Sequence, residues 1–130
     1  MDTYKVDDSA KHVKIDVKVG STGSAETRVY LDTITADNRI CESDDNSNGN
    51  IPATKAGINR KLFLRTLIVN TSLNFSNIPD SAVKDAIKMT HIIYTLDGGP
   101  QGEKPFNNLD AIVNDSDISS VEITKRIEFV

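Results

Sequence analysis

The chain has 130 residues, with 15 Lys+Arg against 19 Asp+Glu, a net charge of −4, 38% hydrophobic and 26% charged residues. This length suits one domain, residues 1–130, that buries a single core without metals or disulfides. The acidic balance removes any general electrostatic drive toward nucleic acid, and the single Cys41 excludes an intrachain disulfide or a cysteine-based zinc cluster.

At the amino terminus, "MDTYKVDDSAKH" has neither the basic start nor the apolar stretch of a signal peptide, and no apolar run is long enough to span a membrane. No membrane insertion is expected. Richness in Asn, Asp, Ser and Thr is compatible with a secreted or surface protein, and the compartment is left open. "HVKIDVKVGSTG" then alternates cleanly, with Val13, Ile15, Val17 and Val19 on one face and Lys14, Asp16 and Lys18 on the other, the period of a half-buried strand. After the Gly20–Gly23 turn, "ETRVYLDTIT" reads as its antiparallel hairpin partner, with Val29 and Leu31 inward.

From Asp37 to Asn59 the composition is that of a long loop, interrupted by Pro52 and Gly57. Loops of such length are uncommon in compact domains and are usually functional or mobile. Within it, "DDNSNG" matches the first half of the EF-hand loop pattern, with Asp44, Asn46 and Asn48 at alternate positions before Gly49. The match ends there. Lys55 occupies the position of the bidentate glutamate, and the flanks are not amphipathic helices. Asp44, Asn46, Asn48 and Asn50 form a candidate calcium loop of another kind, with second-loop ligands from Asp97 or from Asp115 and Asp117. The competing reading is a plain solvated turn, for which Asp, Asn, Ser and Gly are the usual material.

"RKLFLRTLIVNTSLNF" is apolar on both parities, which predicts a long central strand or a bent pair of strands covered on both faces. Arg60, Lys61 and Arg65 beside Phe63 are the best local basic stripe, and they are read as solvated charges flanking a strand and not as a phosphate-binding face. "IPDSAVKDAIKM" changes period and predicts one short helix at about residues 80–90, with Asp80 or Ser81 as N-cap. "THIIYTLDGGP" returns to strand and ends at a Gly-Gly-Pro turn that reads as a mobile hairpin loop. "FNNLDAIVNDSD" fits no single pattern. In the last segment Val121, Ile123, Ile127 and Phe129 share one face, broken only by Lys125.

Strands at hairpin spacing, one helix and no βαβ rhythm predict a mainly β, single-domain antiparallel β-sandwich. Catalytic signatures are missing. His12 and His91 are too few for most zinc sites and no nucleophile motif frames them. Cys41 beside acidic residues is not activated. The leading expectation is a non-enzymatic binding or assembly module without a cofactor, engaging a protein or extended ligand through loops or a sheet edge, as a monomer rather than a homo-oligomer. A calcium-dependent ligand-binding domain centred on Asp44–Asn50 is the alternative, and a small hydrolase with dispersed carboxylates is a third, weaker reading.

Overall fold

A computed structural model describes residues 1–117 and 120–130. The alternating segments become strands, and their inward residues meet between two sheets. One sheet runs β1 (Asp2–Tyr4), β10 (Ser120–Phe129), β6 (Thr66–Asn74), β3 (Ser24–Leu31), β4 (Arg39–Glu42), with β9 (Ile112–Asp117) also on β10; the other runs β5 (Ile51–Ile58), β2 (His12–Gly20), β7 (His91–Asp97), β8 (Lys104–Asn107). Among the described residues the strand pairings are antiparallel except β1 on β10. The architecture is the expected mainly β sandwich with one regular helix, α2 (Asp80–Lys88).

The core follows the alternation. Val13, Ile15 and Val17 of β2 and Ile92, Tyr94 and Leu96 of β7 face Leu67, Val69 and Leu73 of β6 and Val121, Ile123, Ile127 and Phe129 of β10, all buried. Strand β6 is central, with β10 and β3 on its two sides, and its apolar outer residue Ile68 is buried in register with Tyr30. Two inward hydroxyls, Thr27 and Thr71, satisfy each other across β3 and β6 at 3.1 Å. Helix α2 carries the chain from one sheet to the other and buries Val83 and Ala86. Pro79, not Asp80 or Ser81, occupies its N-cap position, and no side chain caps it.

Three local expectations are corrected. Strands β2 and β3 are not a hairpin: they lie in different sheets, so the Gly20–Gly23 turn is an arch across the sandwich. An added Cβ at Gly23 would stand 2.7 Å from the Phe75 ring, so the crossing is tight. Residues 37–59 are not one loop, because they hold a 3₁₀ turn (Ala36–Asn38), β4 and β5, leaving Ser43–Asn50 as the irregular part. Strand β5 is an edge strand, where Pro52 is tolerated, and its ladder to β2 is twice irregular, which hides the alternation. Finally, "NRKL" forms a single helical turn, α1 (Asn59–Leu62), and β6 begins only at Thr66.

Candidate binding surface

The Ser43–Asn50 segment carries the chain from β4 in one sheet to β5 in the other, and its polar side chains hold that crossing. Asn46 Oδ1 accepts the Asn48 N–H at 3.2 Å, Asn48 Oδ1 accepts the Asn50 N–H at 2.9 Å, and Asn50 Oδ1 accepts the Val19 N–H at 2.8 Å. Ala25 N–H donates to Ser47 O, and Ser43 Oγ accepts the Thr27 N–H. Gly49, at φ 73°, lies so close to β3 that a Cβ would stand 2.8 Å from Ala25 Cβ. Three of the four candidate calcium ligands therefore hold backbone amides. Asp44 is exposed and, with Asp45, Glu26 and Ser47, lines a shallow recess of about 160 Å³.

The second-loop ligands are elsewhere. Asp97 pairs with Lys14 toward the far end of β2, and Asp115 and Asp117 lie on β9, at the opposite edge of the sheet from β4. Among the described residues no three His, Cys, Asp or Glu side chains gather as a metal-binding group. We expect melting curves in millimolar calcium and in chelator to superimpose. A calcium-dependent rise, near 2.7 kcal/mol at about a hundredfold excess over Kd, that disappears in Asp44→Ala would instead establish the calcium reading.

His12 and His91 are exposed and open β2 and β7 at opposite ends of the same sheet, since Gly20 pairs with His91. They do not come together. The thiol of Cys41 is pushed up to about 11, first by burial and then by the neighbouring Glu42. The turn at Gly98-Gly99 is not a loose hairpin loop, for both glycines are buried. Gly99 N–H donates to the Tyr4 hydroxyl at 2.9 Å, and Gly98 O accepts from Asn59 Nδ2 at 3.0 Å.

The most unusual surface lies where α1 meets β6. Asn59, fully buried, anchors the turn by donating from Nδ2 to Lys11 O and Gly98 O and by accepting the Asp7 N–H on Oδ1. The chain then turns outward, leaving Phe63 58% and Leu64 69% exposed. Leu64 has φ 63°, a left-handed conformation that costs a residue with a Cβ roughly 1–2 kcal/mol. The C-terminal strand enforces it, because Leu64 N–H donates to Phe129 O and Phe129 N–H donates to Arg65 O.

The turn after β3 joins the same end of the sandwich. Asp32, also left-handed at φ 67°, accepts the Thr66 N–H on Oδ1 and the Arg65 guanidinium on Oδ2 at 2.9 Å. The Thr66 amide and then Arg65 hold its carboxyl below the usual carboxylate range. Two residues on, Ile34 is 48% exposed. Ile34, Phe63 and Leu64 are thus exposed apolar residues at this end of the sandwich, here called the tip, where Asp32 pairs with Arg65 and where Arg60 and Lys61 are exposed on the adjoining helical turn. Sequence reading singled out Phe63, Arg60, Lys61 and Arg65 but placed them on a strand. Asp32, Ile34 and Leu64 as tip residues were missed, and an isolated leucine carries no local signal of a left-handed backbone.

Comparison with family models, with curated proteins and with solved structures gives no match. Among the described residues no helix is long and apolar enough to cross a membrane.

Proposed function

We propose that this protein is a non-enzymatic binding module of the β-sandwich type that engages a protein or another extended ligand through the Ile34, Phe63, Leu64 tip. The observation that carries this reading is Leu64: an exposed leucine in a left-handed conformation that glycine would adopt without cost. Backbone strain maintained at an exposed apolar residue is a recurrent feature of ligand-contacting segments, and a protruding aromatic beside it supplies the anchor on which interfaces commonly depend. A fixed tip also limits the ordering cost of binding.

The experiment compares wild type with Phe63→Ala and Leu64→Gly. Leu64→Gly should keep the melting temperature or raise it, because strain is relieved, while either change should weaken partner capture by about tenfold or more, that is about 1.4 kcal/mol. A double variant that captures every wild-type partner with unchanged affinity would sink the proposal. A calcium-dependent ligand-binding domain centred on Asp44–Asn50 is the second reading, and the calcium melting experiment tests it.

A further inference from the structure

Lys125 is the one charged side chain on the inward face of β10, and it is 1% exposed. It stands where the free edge of β10 passes from one neighbour to the other: Thr124 is paired with Ile112 of β9, and Ile127 with Asp2 of β1. Its Nζ is in contact with Oδ1 of Asp110, in the turn before β9, and lies 2.5 Å from Oδ2 of Asp2. The Phe106 ring centroid is 5.9 Å away. On the neighbouring strand, in register with Phe106, the Tyr94 hydroxyl is buried without a hydrogen-bond partner. Burial raises its pKa, and the nearby Asp110 carboxylate raises it further.

This is one buried amine between two half-exposed carboxylates, with the Phe106 ring beside it. A fully buried ammonium is expensive to desolvate, and the expense favours any route that removes charge from the site. We propose that Lys125 and Asp110 are joined by an intramolecular isopeptide bond, with Asp2 as the proton relay. Lys125 holds the Asp110 carboxyl below the usual carboxylate range, so the reaction starts from the minor neutral form of the pair, in which the ammonium has returned a proton to Asp110 and left a free amine against a neutral carboxyl. Nζ attacks Cγ of Asp110, and Asp2 takes a proton from the nitrogen of the tetrahedral adduct. Asp2 then passes that proton to the departing hydroxyl. The C–N bond forms, one C–O bond breaks, two of the three Nζ protons leave with that oxygen as water, and Asp2 ends as the carboxylate it began. No oxidant, reductant or cofactor enters.

Condensation is unfavourable between free reactants in water, but the fold holds these groups in contact, and effective molarities in well-oriented intramolecular reactions reach about 10⁵–10⁸ M. The bond would tie the last strand to the β8–β9 turn and leave Asp2 free to hydrogen-bond the new amide, so the first strand is held at the same point. This inference is independent of the binding tip, which lies at α1 and shares no residue with it.

Intact mass under denaturing conditions tests it on the full chain. We expect wild type to be lighter than its sequence by one water, and Lys125→Arg, which keeps the charge but cannot condense, to have its full mass. Cleavage after glutamate cuts at Glu26, Glu42, Glu103, Glu122 and Glu128. The bond would leave segment 104–122 covalently attached to 123–128 in wild type, and the two should separate in the variant. Asp2→Asn, checked for folding by circular dichroism, should lower the cross-linked fraction at a given time. Full wild-type mass with separate segments overturns the proposal. So does a bridge from 123–128 to segment 1–26, which would make Asp2 the acyl partner. A water lost within segment 43–103, as a succinimide at Asp97-Gly98 would give, also counts against it.

Discussion

A chain that ends at Asp117 should fail to fold. Strand β10 is paired along nine residues with β6, carries β9 and β1 on its other edge, and so lies within the sheet and not at its margin. Val121, Ile123, Ile127 and Phe129 are at most 1% exposed, and burial of such side chains contributes roughly 1.5–3 kcal/mol each before entropy is counted. Their sum, about 6–12 kcal/mol, is comparable to the whole stability of a domain this size, about 5–15 kcal/mol. The truncated chain also leaves the inner edge of β6 open, a template for pairing with other chains. Circular dichroism should show loss of the cooperative transition, and light scattering should show large particles. A truncated protein that melts cooperatively as a small species would mean that β10 is dispensable, against its place in the fold. In the structure β10 completes its own sheet, so the strand requires no neighbouring subunit to be satisfied.

Sequence reading succeeded where one periodicity dominated and failed where two physical causes leave the same pattern. Strands β2, β7 and β10 were legible because one face is buried, so every second residue is apolar, and α2 was legible because Val83 and Ile87, with Ala86 beside them, recur at helical spacing. The turn between β2 and β3 misled because a short Gly-Ser connection can close a hairpin or bridge two sheets; only the contact of Gly23 with Phe75, 52 positions later, decides it. "RKLFLR" misled in the opposite sense. Its apolar residues on both parities imitate a strand buried on two sides, whereas Leu62 is buried and Phe63 and Leu64 project outward. Lys125 was read as a break in an apolar face, yet its partners, Asp2 and Asp110, come from elements that no local window contains. The candidate site was legible as residue types and not as geometry.

The Gly98-Gly99 turn shows the same division, and it supports the second large prediction. Gly98 has φ 104°, and a Cβ placed there would stand 2.1 Å from the His12 carbonyl oxygen and 3.1 Å from Val13 Cα. Both obstacles are backbone. They cannot yield easily, because β2 and β7 are laddered together up to Lys14 and Asp97, and Asn59 donates both to Lys11 O and to Gly98 O. Gly98→Ala should therefore add a steric clash to the dihedral cost and lose about 3 kcal/mol or more. In a domain of this length that is a fall of roughly 10 °C in melting temperature. Gly102 separates the two contributions: it is also left-handed, at φ 80°, but a Cβ there would meet nothing within 4 Å. Gly102→Ala should cost only the backbone term, about 1–2 kcal/mol. Thermal melts of the two variants beside wild type measure the difference directly. Equal losses would show that the crowding around Gly98 contributes nothing, and that the close approach of the β7–β8 turn to the start of β2 is not what makes glycine necessary there.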